Sequence, residues 1–214
     1  MIGDRLIIKD KHRQAAGQIV ERILPELGSI PRIYTIAIAG ESGSGKSETG
    51  RAVADVLIRR GFKTLVLQQD DYFVHPPKTN DKERRHDLGW VGMQEVRLDL
   101  LDEHLRQARS GAGTIVKPLV VYREDRIIEE TVSLEAIAVV VAEGTYTMAL
   151  ENIDTRVFID LTYMETLQSR LERAREAQDD FLERVLEIEH RIITAQKTRA
   201  EYLVDKQYQV VDSK

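Results

Sequence analysis

The eight residues Gly40-Glu41-Ser42-Gly43-Ser44-Gly45-Lys46-Ser47 constrain this 214-residue chain more than any other feature. They fit the spacing G-x-x-x-x-G-K-[ST], and their flanks carry as much information as the match itself. Upstream, Ile33 to Ala39 is a nearly unbroken apolar run, as in a strand covered on both faces. Downstream, Ala52, Val53, Val56 and Leu57 recur at helical spacing within Lys46 to Arg60; Gly61 closes the helix and a second strand is predicted at Thr64 to Leu67. A glycine-rich turn between a buried strand and a helix lets successive N–H groups converge on an anion, and the helix adds the positive end of its dipole. Lys46 can then reach the β- and γ-phosphates of a nucleoside triphosphate, and the Ser47 hydroxyl can ligate Mg²⁺. Glu48 extends the binding segment into the first turn of the helix. A turn that only reversed the chain would not need Lys followed by Ser.

Strand, helix and strand within about 35 residues make a βαβ unit, for which a right-handed crossover is expected. Two more buried strands are predicted at Ile137 to Val141 and Arg156 to Leu161. The alternation implies a mostly parallel central sheet with helices on both faces, a three-layer α/β domain spanning residues 1–214. Ahead of the first strand, Ile19, Val20, Ile23, Leu24 and Leu27 describe an amphipathic helix ending near Gly28, which reads as a packing extension over residues 1–30. The stretch from Val74 to Gly92 is polar and lacks periodicity, so a long functional loop is expected before helical spacing resumes at Val96, Leu98, Leu101 and Leu105. Thr114 to Tyr122 and Ile127 to Val132 flank a charged turn and suggest an excursion beside the main sheet. Thr162 to Glu165 has capping-box spacing, and about 163–199 is helical and charged, broken near Asp179 and Asp180. Glu201 to Val204 and Tyr208 to Val211 close the sheet as a strand or a pair.

Composition excludes several functional classes. Zero Cys removes thiolate catalysis and Cys-based metal sites, leaving oxygen or His as metal donors and fitting a reducing, cytoplasmic compartment. The longest apolar run, Ala136 to Ala142, is strand-sized, so no membrane partner is expected. A net charge of −5 has the wrong sign for a nucleic-acid partner. The five His show no metal-ligand spacing and are expected to pack or face solvent. Homo-oligomerisation is left open.

Two acidic positions complete the chemistry. Val139-Val140-Val141-Ala142-Glu143 is a buried strand ending in a carboxylate, where an acid beside the phosphate-binding turn would hold Mg²⁺ together with Ser47. Asp70, in Gln68-Gln69-Asp70-Asp71-Tyr72-Phe73, follows the second strand, where open parallel sheets present their ligand crevice. A carboxylate there could accept the proton of an attacking hydroxyl. Asp71 is the weaker candidate for the base and could assist a water-held metal.

These three segments together resemble the uridine kinase, phosphoribulokinase and nicotinamide riboside kinase group of P-loop kinases, over about Arg32 to Val211. The resemblance implies a P-loop NTPase fold with a small helical lid, ATP or another nucleoside triphosphate as donor, Mg²⁺, and a small-molecule phosphoryl acceptor. It also implies Asp70 and Lys46 as catalytic residues, Asp70 orienting the acceptor as well, and Tyr72 as an aromatic lining the acceptor pocket. Tyr122 and Arg126 fall where uridine kinases contact the acceptor, and Arg170, Arg173 and Arg175 where an Arg-rich lid closes over the triphosphate. The sequence departs from uridine kinases at Arg123 and Asp125, and at His86-Asp87-Leu88-Gly89-Trp90, so the acceptor is not named by it. The Arg run has a competing reading as a solvated helix laced with pairs such as Glu187 and Arg191. A regulatory NTPase is the rival function. Neither Asn80 nor Asn152 begins the Asn-Lys-x-Asp of guanine-specific switches, and no Leu-Ser-Gly-Gly transport signature is present.

Overall fold

The computed structural model describes residues 1–3, 6–173 and 179–213. In chain order, helix α1 (Asp10–Leu27) precedes β1 (Tyr34–Gly40), α2 (Lys46–Arg59) and β2 (Thr64–Gln68). Helices α3 (Pro77–His86) and α4 (Leu98–Arg109) lead to strands β3 (Thr114–Val121) and β4 (Arg126–Ser133). Strands β5 (Val139–Glu143) and β6 (Thr155–Ile159) are followed by α5 (Leu167–Arg173), α6 (Asp180–Gln196), β7 (Tyr202–Val204) and β8 (Val210–Asp212).

Six strands form one sheet in the order β2-β5-β1-β6-β7-β8, parallel except for β8, which runs antiparallel to β7. Side chains alternate across a strand, so consecutive apolar residues serve opposite layers. Ile36 and Ile38 of β1, with Val139 and Val141 of β5, pack on Ile19, Ile23, Val53 and Leu57 of α1 and α2. Ala37, Ala39, Val140 and Ala142 face the other way, onto Leu101 and Leu105 of α4 and Ile193 of α6. That is why these strands are apolar at every position rather than at alternate ones. The three-layer architecture is therefore as the sequence implies.

The excursion is a two-stranded antiparallel hairpin, β3 with β4, standing apart from the main sheet. Asp71 ties it to the end of β2: the carboxylate accepts from Lys117 Nζ at 3.0 Å and from the Val120 backbone N–H at 3.0 Å. Asp71 is thereby a buried anchor rather than a metal assistant. Beside β3, the Ile2 N–H donates to Val120 O, and the Met1 amino nitrogen lies 3.0 Å from Asp71 Oδ1.

The stretch Val74–Gly92 is not the loop its sequence predicts, because it contains α3. Pro77 stands at the first helical positions, where its missing N–H costs nothing. The helix buries only Asn80 and has no apolar stripe to reveal it. Polar anchors hold it instead: Asn80 Oδ1 accepts from Trp90 Nε1 at 2.9 Å, and Arg84 forks onto fully buried Glu95 at 2.5 and 2.6 Å. Arg84 also donates to Glu189 of α6 at 2.9 Å, joining α3 to the helix that follows the lid.

The Thr162–Glu165 box forms a turn, Glu165 Oε2 accepting from the Thr162 N–H at 3.0 Å, and α5 begins only at Leu167. Asp179 caps α6, accepting from the Leu182 N–H at 2.8 Å, which explains the break expected there.

Candidate active site

The phosphate-binding turn joins the C-terminal end of β1 to the N-terminus of α2. Gly43 and Gly45 have φ of 77° and 87°, the left-handed region that other residues rarely adopt. Space enforces the same choice. A Cβ on Gly43 would lie 2.8 Å from Arg170 Cγ, and one on Gly45 would lie 2.8 Å from both His12 Nε2 and Tyr208 Oη. Ser44 Oγ is buried within the turn and has no hydrogen-bond partner among the described residues, a donor suited to a phosphate oxygen.

Glu41 is clamped from two sides, by the Tyr163 N–H at 2.6 Å and by His190 Nδ1 at 2.6 Å. Ser42 is held from the start of the lid, its carbonyl accepting from Thr166 Oγ1 at 2.7 Å. Arg170 is buried against the turn, donating to Tyr163 O and, at 3.0 Å, to Thr166 Oγ1. Of the predicted lid residues, the structure therefore brings Arg170 to the site; Arg175 and the side chain of Arg173 lie outside the described residues.

Parallel pairing places Ile38 of β1 opposite Glu143 of β5, and Gln68 of β2 on the other side of Glu143. The Ser47 hydroxyl donates to Glu143 Oε2 at 3.0 Å and Gln68 Nε2 donates to Oε1 at 3.2 Å. Burial, then repulsion from Asp70, pushes the Glu143 carboxyl up to about 7, while Lys46 and the bonds from Ser47 and Gln68 pull the other way. Asp70, Lys46, Ser47 and Glu143 thus share one electrostatic neighbourhood. A hydroxyl and a carboxylate side by side are hard oxygen donors of the kind Mg²⁺ takes, completed by phosphate and water. No set of three or more His, Asp or Glu able to hold a metal occurs among the described residues.

On the acceptor side the prediction divides. Asp70 sits half-buried in the turn after β2. Tyr72 is a correction: its ring is wholly enclosed in the core and its hydroxyl is 2.9 Å from His104 Nδ1. It supports the turn from below rather than lining an open pocket. Tyr122 is half-buried at the hairpin turn, whereas Arg126 is exposed and paired with Glu124. His75 and Trp90, with ring centroids 5.6 Å apart, form an aromatic pair in the same region.

The sequence did not reveal His12, His190 and Tyr208 as neighbours of the turn. All three come from distant elements, and nothing in the local pattern of a packing helix or a closing strand marks them.

A sheet ordered in this way, with a glycine turn at β1 and acids ending β5 and following β2, has the fold of the P-loop kinases. Solved structures agree: a putative fructose transport system kinase from Silicibacter sp. TM1040 superposes with a TM-score of 0.65 at 18% identity, over 86% of this chain and 94% of that one. Phosphoribulokinase from Rhodobacter spheroides gives 0.61 at 13% identity, over 81% and 70%. The chain belongs to the phosphoribulokinase / uridine kinase family, whose profile matches residues 35–212. It is 28% identical over 206 residues to the bifunctional α-galactosidase/sucrose kinase AgaSK of Mediterraneibacter gnavus, covering 89% of this chain but only 22% of that protein. It is likewise 28% identical over 166 residues to the uridine kinase of Bacillus cytotoxicus, covering 72% and 74%. Family and kinase relatives together support a phosphotransferase acting on an alcohol group of a small metabolite. No described helix is long and apolar enough to cross a membrane.

Proposed function

We propose that the chain transfers the γ-phosphoryl group of ATP to a hydroxyl of a small metabolite, with Asp70 as the base. The observation that carries this reading is the Ser47–Glu143 bond at 3.0 Å, lying in the fields of Lys46 and Asp70. The backbone N–H groups of residues 40–47 would enclose the triphosphate, and Lys46 would stabilise charge on the oxygens of the group in flight. Ser47 and Glu143 would hold Mg²⁺, which would supply charge neutralisation to the triphosphate. Arg170, buried against Gly43, would exclude water and add positive charge as the lid tightens. Asp70 would accept the hydroxyl proton as the acceptor oxygen attacks in line, so the carboxylate both orients and deprotonates.

The acceptor would be a nucleoside, a ribosyl compound or a related hydroxyl-bearing metabolite. Tyr122, with the His75–Trp90 pair nearby, could bound the acceptor region. The relatives' names include both a uridine and a sucrose kinase, so the test must span both chemistries. A coupled assay of ADP release, run across nucleosides, sugars and sugar acids beside a control without acceptor, tests the reading. Stimulation by one acceptor class at least tenfold over the control is expected. Equal turnover with and without every acceptor would replace the kinase reading with that of a regulatory NTPase.

A further inference from the structure

A glycine that lets a turn take up a left-handed residue also leaves the peptide before it free to rotate. The Ser44 N–H closes a four-residue turn onto Glu41 O at 3.1 Å, with Gly43 in its third position at φ 77°. That is the type II arrangement. Rotating the one peptide between Ser42 and Gly43 by half a turn converts it to type I, which glycine accepts about as readily. Gly45, at φ 87°, gives the peptide that joins it to Ser44 the same latitude. In a trans peptide the C=O and the N–H point in opposite directions, so each such flip would reverse an amide N–H otherwise available to an anion.

Both peptides are held by hydroxyls from other elements. Thr166 Oγ1, just ahead of α5, donates to Ser42 O at 2.7 Å and itself accepts from Arg170 Nη1 at 3.0 Å, a cation that strengthens the donation. Tyr208 Oη, from the β7–β8 connection, donates to Ser44 O at 2.6 Å. Burial pushes the Tyr208 phenol up to about 12, so it stays a donor across the ordinary pH range. The backbone at Tyr208 has φ of 59°, a left-handed conformation that is rare and strained for a bulky side chain. Asp205 sustains it, its carbonyl accepting from the Tyr208 N–H at 2.9 Å and its carboxylate from the Gln207 and Gln209 N–H groups at 2.9 and 2.8 Å. The connection is thus bent in a way that brings one phenol to the turn.

We propose that Thr166 and Tyr208 are positioning residues for phosphoryl transfer: by fixing Ser42 O and Ser44 O they keep the Gly43 and Gly45 N–H groups turned toward the bound phosphates. The inference rests on the triphosphate reading above. Neither side chain need touch the nucleotide, since each acts through a peptide unit of the turn. Thr166 also makes the start of the lid part of the phosphate grip, because movement of that segment away from the turn releases the Ser42 peptide.

The test removes each hydroxyl while keeping the shape of its side chain. Wild type, Thr166→Val, Thr166→Ser and Tyr208→Phe are titrated calorimetrically with magnesium tripolyphosphate, and the amide resonances of Gly43 and Gly45 are followed by ¹H–¹⁵N NMR. Thr166→Val and Tyr208→Phe should each weaken tripolyphosphate by about fivefold or more, as expected when one amide no longer bonds a charged group. Thr166→Ser, which retains the hydroxyl, should stay within about twofold of wild type. At saturation both glycine amide protons should move downfield in wild type; Thr166→Val should abolish the Gly43 shift alone, and Tyr208→Phe the Gly45 shift alone. Tyr34→Phe, which deletes a buried hydroxyl bonded to Thr155 at the start of β1, controls for stability: it should lower the melting midpoint and leave tripolyphosphate affinity within about twofold. Unchanged affinity in Thr166→Val and Tyr208→Phe, or amide shifts that survive in both, overturns the inference while the phosphate cradle stands. So does a loss in Thr166→Ser equal to that in Thr166→Val, or an equal loss in Tyr34→Phe. Failure of wild type to bind tripolyphosphate overturns the triphosphate reading and this inference together.

Discussion

Replacing Glu143 with Gln removes a buried charge while keeping the shape of the side chain, and the structure fixes the sign of the result. The Glu143 carboxyl rises from an ordinary 4.5 to about 7 on folding. An acid held above its unfolded value prefers to be neutral in the native state. Its stabilising contribution is therefore complete below about pH 4.5 and is lost as the pH climbs through 7. The difference, 7 − 4.5 = 2.5 pH units, corresponds to on the order of 3 kcal/mol at about 1.4 kcal/mol per unit, an upper bound for the ligand-free protein. The Gln variant should exceed wild type by up to that amount at pH 8, and the two should converge near pH 5. For a domain of this size the gain is roughly 6–12 °C in melting midpoint. Thermal melts of both proteins in EDTA, at one-unit steps from pH 5 to 8, measure the difference directly, since every other titrating group is common to both. Magnesium nucleotide should reverse the ranking at pH 8, because wild type offers the cation a carboxylate and the variant does not. A stability difference that is flat with pH, or that favours wild type at pH 8 without ligand, would refute the assignment of Glu143 as a strained, cation-seeking carboxylate.

Lys46→Ala should lower turnover by roughly 10²–10³-fold through lost charge stabilisation, and steady-state rates at saturating nucleotide would reveal a milder effect if Lys46 were only structural. Asp70→Asn should spare magnesium ATP affinity by calorimetry and reduce acceptor-dependent transfer by about 10²–10⁴-fold; retained transfer removes Asp70 from the role of base. Tyr72→Phe deletes the bond to His104 and should cost about 1 kcal/mol in urea unfolding with acceptor KM unchanged, whereas a raised KM at full stability would return Tyr72 to the acceptor pocket. Arg84→Met leaves Glu95 and Glu189 facing each other without their shared cation and should destabilise by about 3–5 kcal/mol; a loss below 1 kcal/mol would mean α3 is held otherwise.

Features written in local chemistry were legible in the sequence. The glycine turn, its strand and its helix stand where the spacing put them, because left-handed glycines and apolar strands are local demands. Glu143 was found in the same way, at the end of a buried strand, though its bond to Ser47 depends on β5 lying beside β1, which only the folded sheet supplies. The helix α3 was missed because it is anchored by Asn80 and Arg84, and hydrophobic periodicity is silent for a helix without an apolar stripe. Tyr72 was misplaced for the opposite reason: its position after β2 matched a family pattern, but the ring turns inward onto His104. His12, Tyr208 and His190 reach the turn across the tertiary structure, from 33, 163 and 145 residues away from Gly45, and no sequence window contains both partners.

The central claim, that an alcohol takes the γ-phosphoryl group beside Asp70, is tested most directly by following the phosphorus itself. ³¹P NMR of wild type with magnesium ATP and the stimulating acceptor should show the γ resonance replaced by a phosphomonoester in step with ADP, and the Asp70→Asn variant should show neither. Inorganic phosphate appearing in place of the ester, at the same rate with the acceptor left out, would contradict it.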